Sequence, residues 1–105
     1  MRLRNLLIVF CVCASSTGLA AEFTVDQQDK SFSNKSLQIK VGDTVNFRNS
    51  DPFFHNVFSL SDAKTFDLGS YPKGQSRAVK FDTAGVVEVE CAIHPDMKMT
   101  ITVTK

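Results

Sequence analysis

The stretch Gly85-Val-Val-Glu-Val-Glu-Cys91-Ala-Ile-His94-Pro-Asp-Met97-Lys-Met99-Thr-Ile101-Thr-Val103-Thr104 reads as two β-strands and the short loop between them. In the first run Val87, Val89 and Cys91 alternate with Val86, Glu88 and Glu90, the period of two expected of a half-buried strand. In the second, Met97, Met99, Ile101 and Val103 alternate with Lys98, Thr100, Thr102 and Thr104. The alternation turns Cys91 toward a core, and it leaves His94 and Met97 within six residues of that thiol.

The same alternation recurs upstream. Leu37, Ile39 and Val41 are separated by Gln38 and Lys40, Gly42-Asp43 marks a turn, and another extended run covers Thr44 to Arg48. Val79 and Phe81 flank Lys80 before Asp82 to Gly85 breaks the run. Ser61 to Gly74 carries Gly69, Pro72 and Gly74 and shows no sustained alternation, so an irregular connection between sheets is expected there, with one helical turn around Asp62 to Lys64. Short strands at this spacing predict an all-β fold, an antiparallel β-sandwich of Greek-key type with its ligand-bearing loops at one end.

The first twenty residues have the form of a targeting segment. Arg2 and Arg4 open it, Leu6 to Val12 is apolar, and Gly18-Leu19-Ala20 supplies small residues before a cut at Ala20/Ala21. The apolar run is shorter than the roughly 20 residues a membrane-spanning helix needs, so the expectation is an exported, periplasmic protein without stable membrane insertion. Residues 21–105 then form one domain, small enough that a metal would contribute usefully to its stability. Removal of Arg2 and Arg4 turns 12 basic against 11 acidic residues into 10 against 11. That balance, with no cluster of lysine or arginine, predicts no binding to nucleic acid.

Cys11 and Cys13 fall in the leader, which leaves Cys91 alone. Oxidising compartments hold most cysteines in pairs, so a solitary thiol there is either exposed to unwanted pairing or occupied. Cys91, His94, Met97 and His55, in Phe53-Phe54-His55-Asn56, together provide one thiolate, two imidazoles and one thioether. Each alone has an ordinary explanation, since buried cysteines behave as small hydrophobes and single histidines are mostly packed or surface residues. As a set they match the donors of a blue-copper electron-transfer site.

The motif Cys91-Ala-Ile-His94-Pro95-Asp-Met97 resembles the short ligand loop of amicyanin-like members of the cupredoxin family. His55-Asn56, with Asn49 and Ser50-Asp51 before it, resembles that family's first-histidine region, and Lys40-Val41-Gly42-Asp43-Thr44-Val45 resembles its second-strand turn. The resemblance covers nearly all of residues 21–105. It implies a monomeric β-sandwich electron carrier, not an enzyme, holding one copper ion through His55, Cys91 and His94, with a methionine as the weak axial ligand. Met97 is six residues after the cysteine, as in amicyanin-like loops, and Met99 eight, as in plastocyanin-like loops; the last-strand alignment selects Met97, and Met99 becomes a core residue. The resemblance further implies that the Asn56 amide reaches the thiolate and ties the His55 strand to the Cys91 loop.

Phe53, Phe54, Ala92, Ile93 and Pro95 are expected to form an apolar collar around His94, where redox protein partners would dock, with at least one of the two phenylalanines in the core. Three rivals remain at this stage. A copper carrier or chaperone would use similar ligands but needs open, exchangeable coordination. Zinc accepts cysteine and histidine but gains little from a thioether. A cysteine hydrolase would need an oxyanion loop and an orienting residue, and neither is identifiable.

Overall fold

Alternating inward and outward side chains allow each strand to bury one face, and two sheets facing each other satisfy that demand throughout the chain. The computed structural model describes residues 19–105. The expected leader up to residue 18, with Cys11 and Cys13, lies outside the described residues.

The described strands are β1 (Glu22–Gln28), β2 (Ser31–Phe32), β3 (Ser36–Lys40), β4 (Thr44–Asn49), β5 (His55–Ser61), β6 (Lys64–Tyr71), β7 (Ser76–Lys80), β8 (Gly85–Cys91) and β9 (Lys98–Thr104). One sheet has the order β2-β1-β4-β7 and the other β3-β9-β8-β5-β6. The sandwich is as expected, but the sheets are mixed: β1 runs parallel to β4 and β3 parallel to β9, while the remaining pairs are antiparallel. Both parallel pairs arise because the chain changes sheets between β2 and β4, and so returns beside an earlier strand from the same direction. Among the described residues, no helix is long and apolar enough to cross a membrane.

Between the sheets, Val25, Val45, Phe47 and Val79 from one side meet Ile39, Val57, Val87, Val89, Ile101 and Val103 from the other, all buried. Phe47 packs edge-on against Phe32 and stacks on Phe66, whose ring also meets Phe81 edge-on. Tyr71 is fully buried, donating to the Phe47 carbonyl at 2.9 Å and accepting from Gln27 Nε2 at 2.8 Å. Burial is the main reason that its pKa is pushed up to about 12, so the phenol stays a neutral donor.

One expectation is corrected. The segment Ser61 to Gly74 is not an irregular connection: Asp62-Ala63 is a turn with no helix, and Lys64–Tyr71 is a full strand paired with β5. Asn56 pairs with Ser70 and Phe58 with Asp67, so β6 spends three residues where β5 spends two. Gly69, at φ +72°, lies within this bulge. The extra residue shifts the inward positions from Phe66 and Leu68 to Tyr71, and that shift erases the period of two. The change of sheet follows β6, at Pro72 to Gln75, a turn closed by the Gln75 amide donating to the Pro72 carbonyl at 3.3 Å and tied to β4 by the Gly74 amide donating to the Asn49 carbonyl at 2.7 Å.

At the far side of the same sheet, Gly85 adopts φ +148°, and a Cβ built on it would lie 2.7 Å from Ala63 Cβ. Gly85→Ala is expected to destabilise the domain by about 1–3 kcal/mol, measurable as a lower urea midpoint with an unchanged slope.

Candidate metal centre

Strand direction delivers the donors. In β5 the inward residues are His55, Val57 and Ser59, and in β8 they are Val87, Val89 and Cys91. Val57 pairs with Cys91, so His55, one inward step before Val57, reaches past the end of β8 beside the thiol. The Cys91 amide donates to the Met97 carbonyl at 3.2 Å and the Met97 amide to the His94 carbonyl at 2.9 Å. These two bonds fold residues 92–96 into a tight loop and bring His94 back over Cys91.

The result is a three-donor cluster. Cys91 Sγ lies 3.7 Å from His55 Nδ1 and 3.9 Å from His94 Nδ1, and the potential ligand atoms of the three residues are all within 4.8 Å of one another. The two imidazoles meet at 5.0 Å between centroids, with planes 65° apart. Cys91 is buried and forms no disulfide. Burial, aided by repulsion from His55 and Lys30, holds the His94 pKa below that of an ordinary imidazole, leaving a neutral ring with a free lone pair. A thiol and two imidazoles directed at one point, with a buried thioether nearby, form a soft, mixed S/N donor set that suits copper.

Met97 is 1% exposed and lines the recess beside His94 together with Lys30, Ile93, Pro95 and Asp96. Met99, also buried, pairs with Val89 in the β8–β9 ladder. Glu90 pairs with Lys98, so the next rung places Met97 opposite Cys91, while Met99 stands one inward step deeper in the core.

The Asn56 amide does reach the cysteine sulfur, at 3.4 Å, and the Asn56 carbonyl accepts from Ala92 N at 3.2 Å. The tie between the His55 strand and the Cys91 loop is thus made by backbone, while the Asn56 side chain turns outward to Asp67. The phenylalanines depart from expectation, because neither joins the buried core. Phe53 is half-buried, with its ring 5.3 Å from both imidazoles, and Phe54 is 53% exposed. Wedged against two rings, Phe53 shields the donors; Phe54, Ala92, Ile93 and Pro95 are exposed, and Ile93 and Pro95 line the recess beside His94.

Sequence reasoning missed the partner of His55. Its Nε2 lies 2.7 Å from Asp51 Oδ2, and both side chains are almost fully buried. An ionised carboxylate only accepts, so Nε2 carries the proton and Nδ1 is left as the donor facing Cys91. Asp51 also accepts from the Asp29 and Lys30 amides at 2.7 and 3.1 Å. Those two residues have φ of 56° and 58°, the paired left-handed conformation of a two-residue hairpin turn. Asn49 completes the frame: its Oδ1 accepts from the Asp51 amide, and its Nδ2 donates to the carbonyls of Phe53 and Tyr71. An acid four residues before a candidate ligand was the available signal.

Comparison with known proteins places these features in context. The profile of the copper-binding proteins of the plastocyanin/azurin family matches residues 19–104. A methylamine utilization protein, MauL, of Methylorubrum extorquens strain AM1 is 28% identical over 101 residues, covering 94% of this chain and 89% of its own. A mutant amicyanin in its Cu(I) form superimposes with a TM-score of 0.72 at 26% identity, over 77% of this chain and 80% of that one. The copper-containing nitrite reductase NirK of Thermus scotoductus gives 0.74 at 30% identity over 83% of this chain but only 23% of its own.

Burial raises the Asp51 pKa, but hydrogen bonds from His55, Lys30 and Asp29 outweigh it and hold the carboxyl below its usual 3.8. The stabilisation from Asp51 is therefore complete above the unfolded carboxylate's range and is lost as pH falls through the lower folded value. Asp51→Ala is expected to cost the metal-free protein on the order of 3 kcal/mol, because buried donors lose their acceptor. Asp51→Asn should flatten the acid limb of stability against pH, read by denaturant unfolding between neutral and strongly acid pH.

Proposed function

Because the chain belongs to the plastocyanin/azurin family of copper-binding proteins, we propose that it is an exported electron carrier whose copper is held by His55, Cys91 and His94, with Met97 as a weak fourth ligand. The observation that carries this reading is the convergence of Cys91 Sγ with two imidazole Nδ1 atoms in a buried cluster with one half-exposed edge, at His94. Bound there, copper supplies a one-electron Cu(II)/Cu(I) couple.

The protein's own part is to keep those donors still. Asp51 fixes the His55 ring, the Cys91–Met97 hydrogen bond fixes the loop, and the Asn56 amide directs a partial positive charge at the sulfur. Phe53 keeps water from the space between the rings. Donors already in place need little rearrangement when the charge at the site changes, which favours rapid electron transfer over release of the ion.

Met97 is preferred to Met99 as the axial ligand because it lies on the rung of Cys91, whereas Met99 lies beside Val89. The exposed apolar residues Ile93 and Pro95 beside His94 mark the surface on which donor and acceptor proteins dock, the chain itself acting as a monomer. Likeness to a methylamine utilization protein supports partners in amine oxidation. The leader-like first twenty residues and the solitary Cys91 support export to the periplasm. A copper chaperone is the second reading, favoured by the same donors but opposed by the burial of His55, Cys91 and Met97, which leaves little room for an incoming ligand to displace them.

Adding Cu(II) to the purified protein is expected to give an intense visible sulfur-to-copper absorption that vanishes on reduction and returns on oxidation; its absence overturns the reading. Rapid loss of the colour to a modest chelator would favour the chaperone instead. Met97→Ala should shift the spectrum and the potential. Met99→Ala should leave both nearly unchanged while costing about 2–5 kcal/mol of stability, the usual range for emptying a core methionine site.

A further inference from the structure

The end of the sandwich remote from the copper ligands carries a carboxylate whose surroundings are unusual. Asp43 is 6% exposed. Its Oδ2 accepts from the Lys40 amide at 2.8 Å, which closes the turn between β3 and β4, and its Oδ1 accepts from the Ala21 amide at 2.9 Å, 22 residues away in sequence. Among the described residues, no side-chain cation comes within 4.0 Å of it. A nearly buried acid therefore has only backbone N–H groups as partners. Those two bonds, from Ala21 first and Lys40 second, with a smaller contribution from the Lys40 charge, outweigh burial and hold its pKa below 3.8.

Ala21 is held from its other side as well: its carbonyl accepts from the Thr44 amide at 3.0 Å, the rung that begins the parallel β1–β4 pair. The nitrogen of Ala21 is thus fixed next to Asp43 by the sheet, whatever precedes it. Leu19 and Ala20 are exposed and belong to no strand, and Ala21, itself exposed, immediately precedes β1.

We propose that Asp43 is the receptor for a new N-terminus, the α-ammonium created when the chain is cut between Ala20 and Ala21; the proposal rests on the reading of residues 1–20 as a cleaved leader. Hydrolysis by a leader peptidase breaks the Ala20–Ala21 C–N bond. The oxygen of one water goes to the Ala20 carboxylate, and both its protons end on the Ala21 nitrogen, converting a neutral amide donor into an ammonium. An α-ammonium has a pKa of about 7.7–8.0, so it is largely charged at neutral pH. The hydrogen bond already in place, until then charged only at its acceptor, becomes one between an ammonium and a carboxylate, and the carboxylate acquires a cation in direct contact. Because Ala21 remains solvent-exposed, the ammonium keeps part of its hydration, and the pair avoids the full desolvation cost of a buried one. Maturation, in this account, tightens the fold at the end opposite the copper.

The test starts from the full chain expressed in a bacterium with its export machinery intact. The mass of the periplasmic product reports the cut: a chain beginning at Ala21 is expected, and one beginning elsewhere overturns the leader reading. Chains starting at Ala21, either free or Nα-acetylated, are then melted with Asp43 intact and with Asp43→Asn, which retains an acceptor oxygen for the turn. Acetylation is expected to lower the midpoint by about 3–6 °C when Asp43 is present, the scale on which a domain of this size registers one strong polar contact, and by no more than about 1 °C in Asp43→Asn. Equal losses in both backgrounds, or none in either, overturn the receptor whatever the site of the cut. If Asp43→Asn fails to fold, NMR titration of the Ala21 methyl in the unmodified protein decides. A pKa raised above the ordinary α-amino range supports the pair, and an ordinary one refutes it.

Discussion

A buried carboxylate between two sheets is costly unless every lone pair is engaged, and the site end of this domain is organised around meeting that condition for Asp51. Its three donors come from two places: the Asp29 and Lys30 amides in the β1–β2 turn of one sheet, and His55, the first residue of β5, in the other. Removing any of them leaves the acid short of donors. The left-handed backbone of Asp29 and Lys30, which the two-residue hairpin turn requires, also brings both amides onto that one acceptor. The demand explains the orientation of His55, whose outward nitrogen is committed and whose inward one is free. The chemistry of the cluster thus begins one layer behind it.

The loop on the opposite side of the cluster works by economy of backbone. Cys91 ends β8 and Met97 precedes β9, and the hydrogen bond between them continues the ladder of the two strands. The loop therefore hangs from a closed rung and has little freedom of its own. Asn56 adds a second backbone link from β5. Of the three nitrogen and thiolate ligands proposed, two sit on strand ends and the third in a loop pinned at both ends, a placement that limits wandering better than three loop residues would.

Much of this was legible in the residues themselves. The alternation through β8 and β9 named the inward face, including Cys91, Met97 and Met99, and the shortage of thiols and histidines made the donor set conspicuous. What escaped did so for identifiable reasons. The β6 strand was hidden because a bulge at Gly69 puts its inward residues out of step, and periodicity is the only signal a short strand gives. The parallel pairings were hidden because alternation describes one strand and is silent about its neighbours. Phe53 is expected beside His94, but the second imidazole its ring meets, that of His55, is set by the fold. Asp51 is a turn residue by type, and only the folded chain reveals that its turn is inside.

The parallel pairing of β3 with β9 joins Leu37 to Ile101 and Lys40 to Thr104, so the sheet carrying the metal site cannot be completed until the last strand of the chain is in place. Connections this distant in sequence are paid for in loop entropy before any contact rewards them, and domains dominated by them fold in milliseconds to seconds rather than microseconds. The β8–β9 hairpin, local and quick to form, can present Cys91 and His94 well before β5 brings His55 alongside. During that interval the thiol, one imidazole and the Met97 thioether are together without His55, and an ion met then would find an incomplete site. The order of assembly, as much as the finished geometry, decides when this chain is ready to receive its metal.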